Sequence, residues 1–388
     1  MSIREIYIAT AILLPMFSLI LATALPIFSF MNLLTIIVIS FLTFFLLVFQ
    51  PKIIVGLPYH SIYFFVFLSY VSLIWLINEK DLQNTYTLSV FILYLFVILF
   101  TSTLRPLSKR NSQRIISFLI FLSPFISIFF IITGLAGSTD PVTPQILLIF
   151  ASLHCAKFQY DRKLSSLLLF GLCLLGASFT ANRMIVLILI FLLLVVISSL
   201  FFNSRSSKGK KKNGSLLTSF LLIPLFIIFF WLILIQGNLQ EAFVGGDNAI
   251  QYGDIALNTS GRLNTWIAIL NDPSTSLWTG SGNDMPAELL SDRWRHPHND
   301  YLRVYSRSGI IGLILFLIFL RSFFSSLLKS SRAFKFGSLF IWNKTALYLF
   351  ISCLGMMITD NTLVYPSIMV PTLFICTIAT NTIRLRYK

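Results

Sequence analysis

Long apolar runs separated by short polar connections make up most of the chain. A run of roughly 20 mostly apolar residues is long enough to cross a lipid bilayer as a helix. The alternation of apolar and polar positions that marks a membrane β-strand is absent from these runs. The pattern therefore predicts an all-α, polytopic membrane helical bundle. About twelve transmembrane helices are expected by these criteria, near 6–27, 32–49, 60–78, 85–102, 115–134, 143–158, 163–180, 182–203, 216–236, 308–328, 341–360 and 364–383.

One long polar segment, residues 237–307, interrupts the apolar pattern. Loops of this length usually carry function or their own structure. The polar residues 258–260 offer helix caps before apolar residues at helical spacing, and Asn271-Asp272-Pro273 ends that pattern. We expect a short amphipathic helix there, lying on the outer membrane face, and a second short helix from Pro286 towards Trp294.

The composition agrees with a membrane protein, since 56% of the 388 residues are hydrophobic and 11% are charged. Soluble domains carry about 25% charged residues. We expect a single membrane domain in three parts: helices 1–9 within 1–236, the large loop at 237–307, and helices 10–12 with the C-terminus within 308–388.

The net charge of +15 could suggest nucleic acid, but the placement of the charges favours a membrane topology signal. With the N-terminus inside, most of the Lys and Arg residues fall in inside connections, as the positive-inside rule requires. Both termini are then cytoplasmic and the 237–307 loop is periplasmic. The basic run Lys208–Lys212 is expected to contact anionic membrane lipid, and no nucleic-acid partner is predicted.

Two of the four histidines, His296 and His298, lie one residue apart at the end of the loop. Asn299 or Asp300 can cap the helix that follows, so His298 is expected at a helix N-terminus, where an anion is favoured. Histidine is also the side chain best suited to act as a base near neutral pH. The alternative is a pair of solvated loop histidines.

Metal binding at this His-x-His pair is not expected, because no third ligand has suitable spacing. The other two histidines, His60 and His154, fall in or beside predicted spans and are expected to be structural. All four cysteines also fall in predicted spans, where burial as small apolar residues explains them. No cofactor is predicted.

Arginines could supply cationic contacts to a phosphate group at the outer face. Arg183 lies at the outer end of a predicted span, where an arginine faces a cavity or partner or reaches to the interface. Arg262 begins the amphipathic helix, where a cation opposes the helix dipole. Arg303 and Arg307 share a face of the helix that follows His298. Guanidinium groups match the geometry of phosphate oxygens.

Three stretches together resemble the bacterial O-antigen ligase and O-antigen polymerase superfamily of membrane glycosyltransferases. The first is Ser178-Phe179-Thr180-Ala181-Asn182-Arg183, and the second is Ser260-Gly261-Arg262 through Trp266, with Gly280-Ser281-Gly282. The third is His296-Pro297-His298-Asn299-Asp300-Tyr301-Leu302 with Gly309-Ile310-Ile311-Gly312. The likeness spans roughly 175–320, and a layout of about twelve spans agrees with it elsewhere.

The resemblance implies transfer of a glycan from an undecaprenyl-diphosphate donor to a sugar hydroxyl, without metal or nucleotide. Under it, His298 would be the catalytic base, and Arg183 and Arg262 would bind the diphosphate. The supporting residues would be His296, Asn299, Tyr301 and Arg303. The setting would be the bacterial inner membrane, in the synthesis of O-antigen, capsule or exopolysaccharide.

The acceptor distinguishes the two branches of the family. A repeat-unit polymerase uses another lipid-linked glycan and can work with a chain-length regulator, whereas a ligase uses the lipid A-core. The diversity of the polymerases slightly favours a polymerase, and the single large outer loop favours a ligase. A transporter of a lipid-linked solute and a non-catalytic envelope scaffold are the alternatives from other classes. A transporter would be expected to show internal repeats and broken helices at the membrane midplane.

Overall fold

The computed structural model describes residues 58–78, 82–104, 106–136, 143–180, 182–204, 249–252, 255–258, 262–272, 275–283 and 297–385. Within these ranges the chain is mainly helical. The α-helices are α1 (Tyr59–Ile77), α2 (Leu82–Thr103), α3 (Lys109–Leu135), α4 (Leu147–Asp161), α5 (Leu164–Ser178), α6 (Arg183–Ser204), α7 (Arg262–Asn271), α8 (Asp300–Ala333), α9 (Ser338–Thr359) and α10 (Pro366–Asn381). Short 3₁₀ turns cover Thr143–Ile146, Thr362–Val364 and Thr382–Leu385.

The predicted spans from 60–78 to 182–203, and the last three, correspond to helices α1–α6 and α8–α10. Five helices in the described ranges are long and apolar enough to cross a membrane, and three further apolar helices are shorter. The chain is therefore a membrane protein with an all-helical membrane part. The predicted spans 6–27, 32–49 and 216–236 lie outside the described residues, as does the expected helix from Pro286 to Trp294.

Two features of the polar segment can be compared with expectation. A short helix is confirmed at the predicted position as α7, which ends at Asn271 as its sequence predicts. An antiparallel hairpin of two four-residue strands, β1 (Ala249–Tyr252) and β2 (Ile255–Asn258), was not predicted. Isolated strands this short give little periodic signal, because a two-stranded hairpin has few alternating positions.

The described residues form two compact units. The first contains the described residues of 58–108, 262–335 and 353–385. Here α1 packs along α8, and α10 packs along α2. A ladder of phenylalanine rings fills the α1–α8 seam, with Phe67 and Phe316 centroids 5.3 Å apart and Phe64 and Phe319 centroids 4.7 Å apart. Such packing matters because lipid tails are as apolar as the side chains, so close contact supplies the association energy.

His60 stacks on Phe323 in the same unit, with ring centroids 4.6 Å apart, and is fully buried. The second unit contains the described residues of 109–261 together with 336–352. There α5 packs against α3 and α4, and His154 is buried with Nε2 2.7 Å from the Ser123 hydroxyl. The structure therefore places both histidines inside helices, as expected of structural residues. All four cysteines are buried, and none of them forms a disulfide bond.

Helix α8 begins at Asp300 and is 34 residues long, so it starts before the apolar stretch predicted at 308–328. It is broken at Gly309, whose φ of 63° and ψ of −168° are not helical. This backbone conformation is essentially restricted to glycine. The break leaves the carbonyls of Ser306 and Arg307 without the helical donors that a continuous helix would supply.

The backbone of a turn at residues 275–283 packs against α8 at this break, and the turn and α8 are hydrogen-bonded to each other. Four backbone hydrogen bonds join them: Ser281 N to Ser306 O (2.8 Å), Gly282 N to Arg307 O (3.0 Å), Ile310 N to Leu277 O (2.9 Å) and Ile311 N to Trp278 O (3.4 Å). A Cβ on Gly280 would lie 2.5 Å from the Arg307 carbonyl carbon, and one on Gly309 would lie 2.3 Å from the Trp278 carbonyl. The approach of the two backbones therefore requires glycine on both sides.

Candidate active site

His298 lies directly before α8, at the junction of the polar segment and the membrane helix. Asn299 is the N-cap of α8, and its side chain accepts a 3.0 Å hydrogen bond from the Leu302 backbone amide. The predicted cap is thereby confirmed. The indole of Trp266 in α7 donates to the Pro297 carbonyl at 2.8 Å. Helices α7 and α8 therefore both fix the backbone beside His298.

The backbone of His298 is itself unusual, with a φ of +46°. Residues other than glycine adopt this left-handed region at an energetic cost, and such strain is concentrated at functional sites. The side chain is 25% exposed, so the imidazole is partly accessible while its Nδ1 edge faces protein groups.

Two residues of the α9–α10 connection face the His298 Nδ1 atom. Asn361 Nδ2 lies 3.3 Å from it, and Asp360 Oδ1 lies 3.8 Å from it. The Asp360 carboxylate also accepts a 2.8 Å hydrogen bond from the backbone amide of Asn361. A carboxylate beside an imidazole can orient the ring and stabilise its protonated form.

Buried polar contacts hold this connection against the start of α8. Asp300 accepts a 2.8 Å hydrogen bond from the backbone amide of Leu363, whose carbonyl accepts from the Tyr94 hydroxyl at 2.8 Å. Arg303 donates from Nη2 to Asn361 Oδ1 at 2.7 Å. Asp300 and Arg303 are fully buried, with Oδ1 and Nη1 3.7 Å apart. Because a buried charge is costly unless it is compensated, these contacts define one arrangement of the two segments.

Arg262, the first residue of α7, contacts the end of α9 next to this cluster. Its Nη1 donates to the Thr359 carbonyl at 2.7 Å, immediately before Asp360. The guanidinium carries five N–H donors, and this contact uses one nitrogen of the three. Arg262 is half-buried, so it can contribute both to the fold and to the electrostatic field near His298.

Two tyrosines border the cluster. Tyr301 donates from its hydroxyl to the Leu354 carbonyl at 3.1 Å, which links α8 to the end of α9. Tyr365 hydrogen-bonds with Asn361. Burial raises the pKa of the Tyr365 hydroxyl, and the nearby Asp360 carboxylate raises this pKa further. Tyr365 is therefore neutral at physiological pH.

Five predicted site residues are thus brought together in one unit: Arg262, His298, Asn299, Tyr301 and Arg303. His296 lies outside the described residues. Arg183 begins α6 in the second unit, and its side chain is outside the described part of the structure. In the described ranges no cluster of three or more His, Cys, Asp or Glu side chains could hold a metal ion.

Asp360 and Asn361 are not among the site residues predicted from the sequence. A signal for them exists, because they fall at the end of the predicted span 341–360 and in the short connection that follows. The topology predicted from the charges puts that connection on the same membrane side as the 237–307 loop. A polar pair at the boundary between a span and a short connection gives no further signal, so spacing alone could not link it to His298.

Residues 164–317 match a family model described as O-antigen ligase. The resemblance drawn from the motifs is confirmed over this segment. The O-antigen ligase match includes Arg183, Arg262 and His298 but ends before Asp360. No curated protein matches the chain significantly.

The O-antigen ligase match supports a ligase- or polymerase-type function in polysaccharide synthesis, including that of lipopolysaccharide. It is consistent with a glycosyltransferase-like enzyme and implies lipid-linked glycans as substrates.

Proposed function

We propose that the protein transfers a glycan from an undecaprenyl-diphosphate donor to a sugar hydroxyl. The observation that carries this proposal is the contact of His298 with Asp360 and Asn361 at the start of α8. A partly exposed imidazole, strained in its backbone and backed by a carboxylate, suits proton transfer in catalysis. The O-antigen ligase match over 164–317 supports the class of substrate.

In the proposed reaction the acceptor hydroxyl oxygen forms a bond to the anomeric carbon of the donor. The bond from that carbon to the diphosphate oxygen breaks, and its electron pair leaves with the diphosphate. The hydroxyl proton passes to Nε2 of His298, and the Asp360 carboxylate stabilises the resulting imidazolium. The leaving group is already activated, so stabilisation of its charge is the other main requirement.

Arg262 and Arg183 are proposed to supply that stabilisation. Guanidinium groups bind phosphate oxygens with paired donors and keep their charge at physiological pH. The position of Arg262 supports this role, because its side chain contacts the Thr359 carbonyl, one residue from Asp360. The assignment of Arg183 rests on its motif and on its inclusion in the O-antigen ligase match.

The membrane orientation proposed for this reaction has both termini in the cytoplasm and the 237–307 loop in the periplasm. The distribution of Lys and Arg residues supports it. The protein would then act in the bacterial inner membrane, and its donor would be presented on the periplasmic leaflet. No metal is required in this scheme, because the departing group already carries the activating diphosphate.

We favour the repeat-unit polymerase, in which the acceptor is a second lipid-linked glycan and a chain-length regulator is a possible partner. The ligase, with a lipid A-core acceptor, is the second candidate. It is favoured by the single large polar loop and by the description of the matching family. The acceptor alone distinguishes the two reactions, so it is the variable to test.

The test is transfer by the purified protein in liposomes, with lipid-linked glycan as donor and each acceptor offered separately. His298→Ala is expected to lower the rate by about 10²–10⁴-fold, the usual contribution of general acid–base catalysis. His154→Gln is the matched control, because it replaces a buried histidine of the second unit opposite Ser123.

Unchanged transfer by His298→Ala, in protein with the thermal stability of the wild type, would remove His298 from the mechanism. A ladder of products with the lipid-linked acceptor supports the polymerase, and one product with lipid A-core supports the ligase. Absence of any product with both acceptors contradicts the proposed function. Transfer within one compartment also excludes the transporter.

A further inference from the structure

The two ring nitrogens of His298 have different chemical tasks. A neutral imidazole carries its hydrogen on one nitrogen, which donates, while the other nitrogen accepts. Nδ1 of His298 faces Asn361 and Asp360, and Nε2 is on the opposite side of the ring. To remove a proton from a hydroxyl, Nε2 must be unprotonated, and in a neutral imidazole Nδ1 must then carry the hydrogen.

Arg303 determines which end of the Asn361 amide meets the imidazole. A guanidinium only donates, so the amide atom 2.7 Å from Arg303 Nη2 is the oxygen. The amide nitrogen is then the atom that faces His298 Nδ1, at 3.3 Å. An amide NH₂ also only donates, so this contact is a hydrogen bond when Nδ1 is the acceptor.

We propose that Asn361 is a positioning residue that holds neutral His298 in the tautomer with its hydrogen on Nε2. This inference concerns the site of the proposed transfer reaction and rests on that function for its catalytic meaning. In this resting tautomer Nε2 donates a hydrogen bond, for example to a phosphate oxygen of the donor. It becomes a base when Nε2 loses its proton to water and Nδ1 gains one from water.

Asp360 favours the opposite tautomer, because its carboxylate can accept from a protonated Nδ1. Its Oδ1 lies 3.8 Å from Nδ1 and already accepts a 2.8 Å hydrogen bond from the Asn361 backbone amide. The positive charge of Arg303 polarises the Asn361 amide and strengthens its NH₂ as a donor. Distance and polarisation therefore both favour Asn361 at rest. Arg262, at the Thr359 carbonyl, is the further charged group beside this contact.

The experiment is solid-state ¹⁵N NMR of the full-length protein in liposomes, with ¹⁵N-labelled histidine and alkaline buffer to populate neutral imidazoles. The chain has four histidines, and a His298→Ala sample identifies the His298 signals by their loss. The critical variant is Asn361→Asp, which keeps an oxygen opposite Arg303 and replaces the NH₂ with an acceptor. Asn381→Asp is the matched control, since Asn381 is also buried and donates to the Thr101 carbonyl.

The wild type and Asn381→Asp are expected to carry the His298 hydrogen on Nε2, and Asn361→Asp is expected to shift most of the population to Nδ1. Asp360→Asn is a second variant and should leave the wild-type tautomer unchanged. A wild-type hydrogen on Nδ1 would overturn the proposal, even if Asn361→Asp failed to fold. An unshifted tautomer in folded Asn361→Asp would also overturn it. These signals do not depend on transfer, so loss of activity counts only against the proposed function.

Discussion

Replacement of Gly309 by alanine tests whether the turn at 275–283 is a structural part of α8. An alanine cannot keep the present conformation, because its Cβ would lie 2.3 Å from the Trp278 carbonyl carbon and oxygen. The backbone strain alone would cost about 1–3 kcal/mol. We expect α8 to become continuous instead and to expel the turn.

The magnitude follows from the hydrogen bonds exchanged. Expulsion breaks the four backbone hydrogen bonds between the turn and α8, at about 0.5–1.5 kcal/mol each. A continuous helix restores two of them internally, from Ile310 and Ile311 to Ser306 and Arg307, and alanine in a helix interior gains about 1 kcal/mol over glycine. For the backbone hydrogen bonds, the net loss of stability is therefore small, about 0–2 kcal/mol, whereas the turn loses all four of its backbone hydrogen bonds to α8.

The assay compares thermal stability with the accessibility of residue 281. All four native cysteines are buried, so a Ser281→Cys background can report labelling by a membrane-impermeant maleimide. Labelling should become faster in Gly309→Ala, with little change in unfolding temperature. Gly337→Ala is the matched control, because Gly337 also has a positive φ of 85° but nothing lies near its added Cβ. Equal labelling rates in the two glycine variants would refute the reasoning.

Two further predictions concern diphosphate binding at the site and the pH dependence of stability. Arg262→Lys should lower the rate of transfer about 10- to 100-fold if the guanidinium binds the diphosphate, since a hydrogen bond to a charged group contributes about 1.5–3 kcal/mol. Trp266→Phe removes the hydrogen bond from the same helix to the Pro297 carbonyl and should lower the rate less. A larger loss in Trp266→Phe than in Arg262→Lys would assign Arg262 to the fold. Burial raises the pKa of Tyr365 above its ordinary value of about 10, so its contribution to stability is present below pH 10 and declines as the pH rises further. Tyr365→Phe should therefore lose less stability than the wild type between pH 9 and pH 11 in thermal unfolding, and identical alkaline losses would contradict this.

The sequence was sufficient to predict a structural element where a single local signal determines that element. The apolar runs predicted α1–α6 and α8–α10. Asn299 or Asp300 was predicted as the cap of α8 because an N-cap depends on adjacent residues, and the cap is Asn299. The break at Gly309 could not be predicted in this way. Its hydrogen-bond partners come from the separate turn at 275–283, and a glycine in an apolar run is equally compatible with a continuous helix.

The candidate site also combines residues that local sequence signals predict with residues that they do not. His298 and Arg262 were selected from local motifs, and the structure places both in the first unit. Asp360 and Asn361 required a long-range contact to be recognised, since Asp300 bonds the backbone of Leu363 across 63 positions of sequence. Hydrophobic periodicity reports which face of a helix is apolar, but it does not report which polar connection will lie against its end.

The contact between Arg303 and Asn361 also joins two separate stretches of the sequence. Arg303 lies within the O-antigen ligase match, and Asn361 lies beyond its end at residue 317. A chimera that exchanges only 338–385 between relatives would keep its own histidine and receive foreign partners for it. Transfer by such a chimera should therefore require both stretches to come from the same parent.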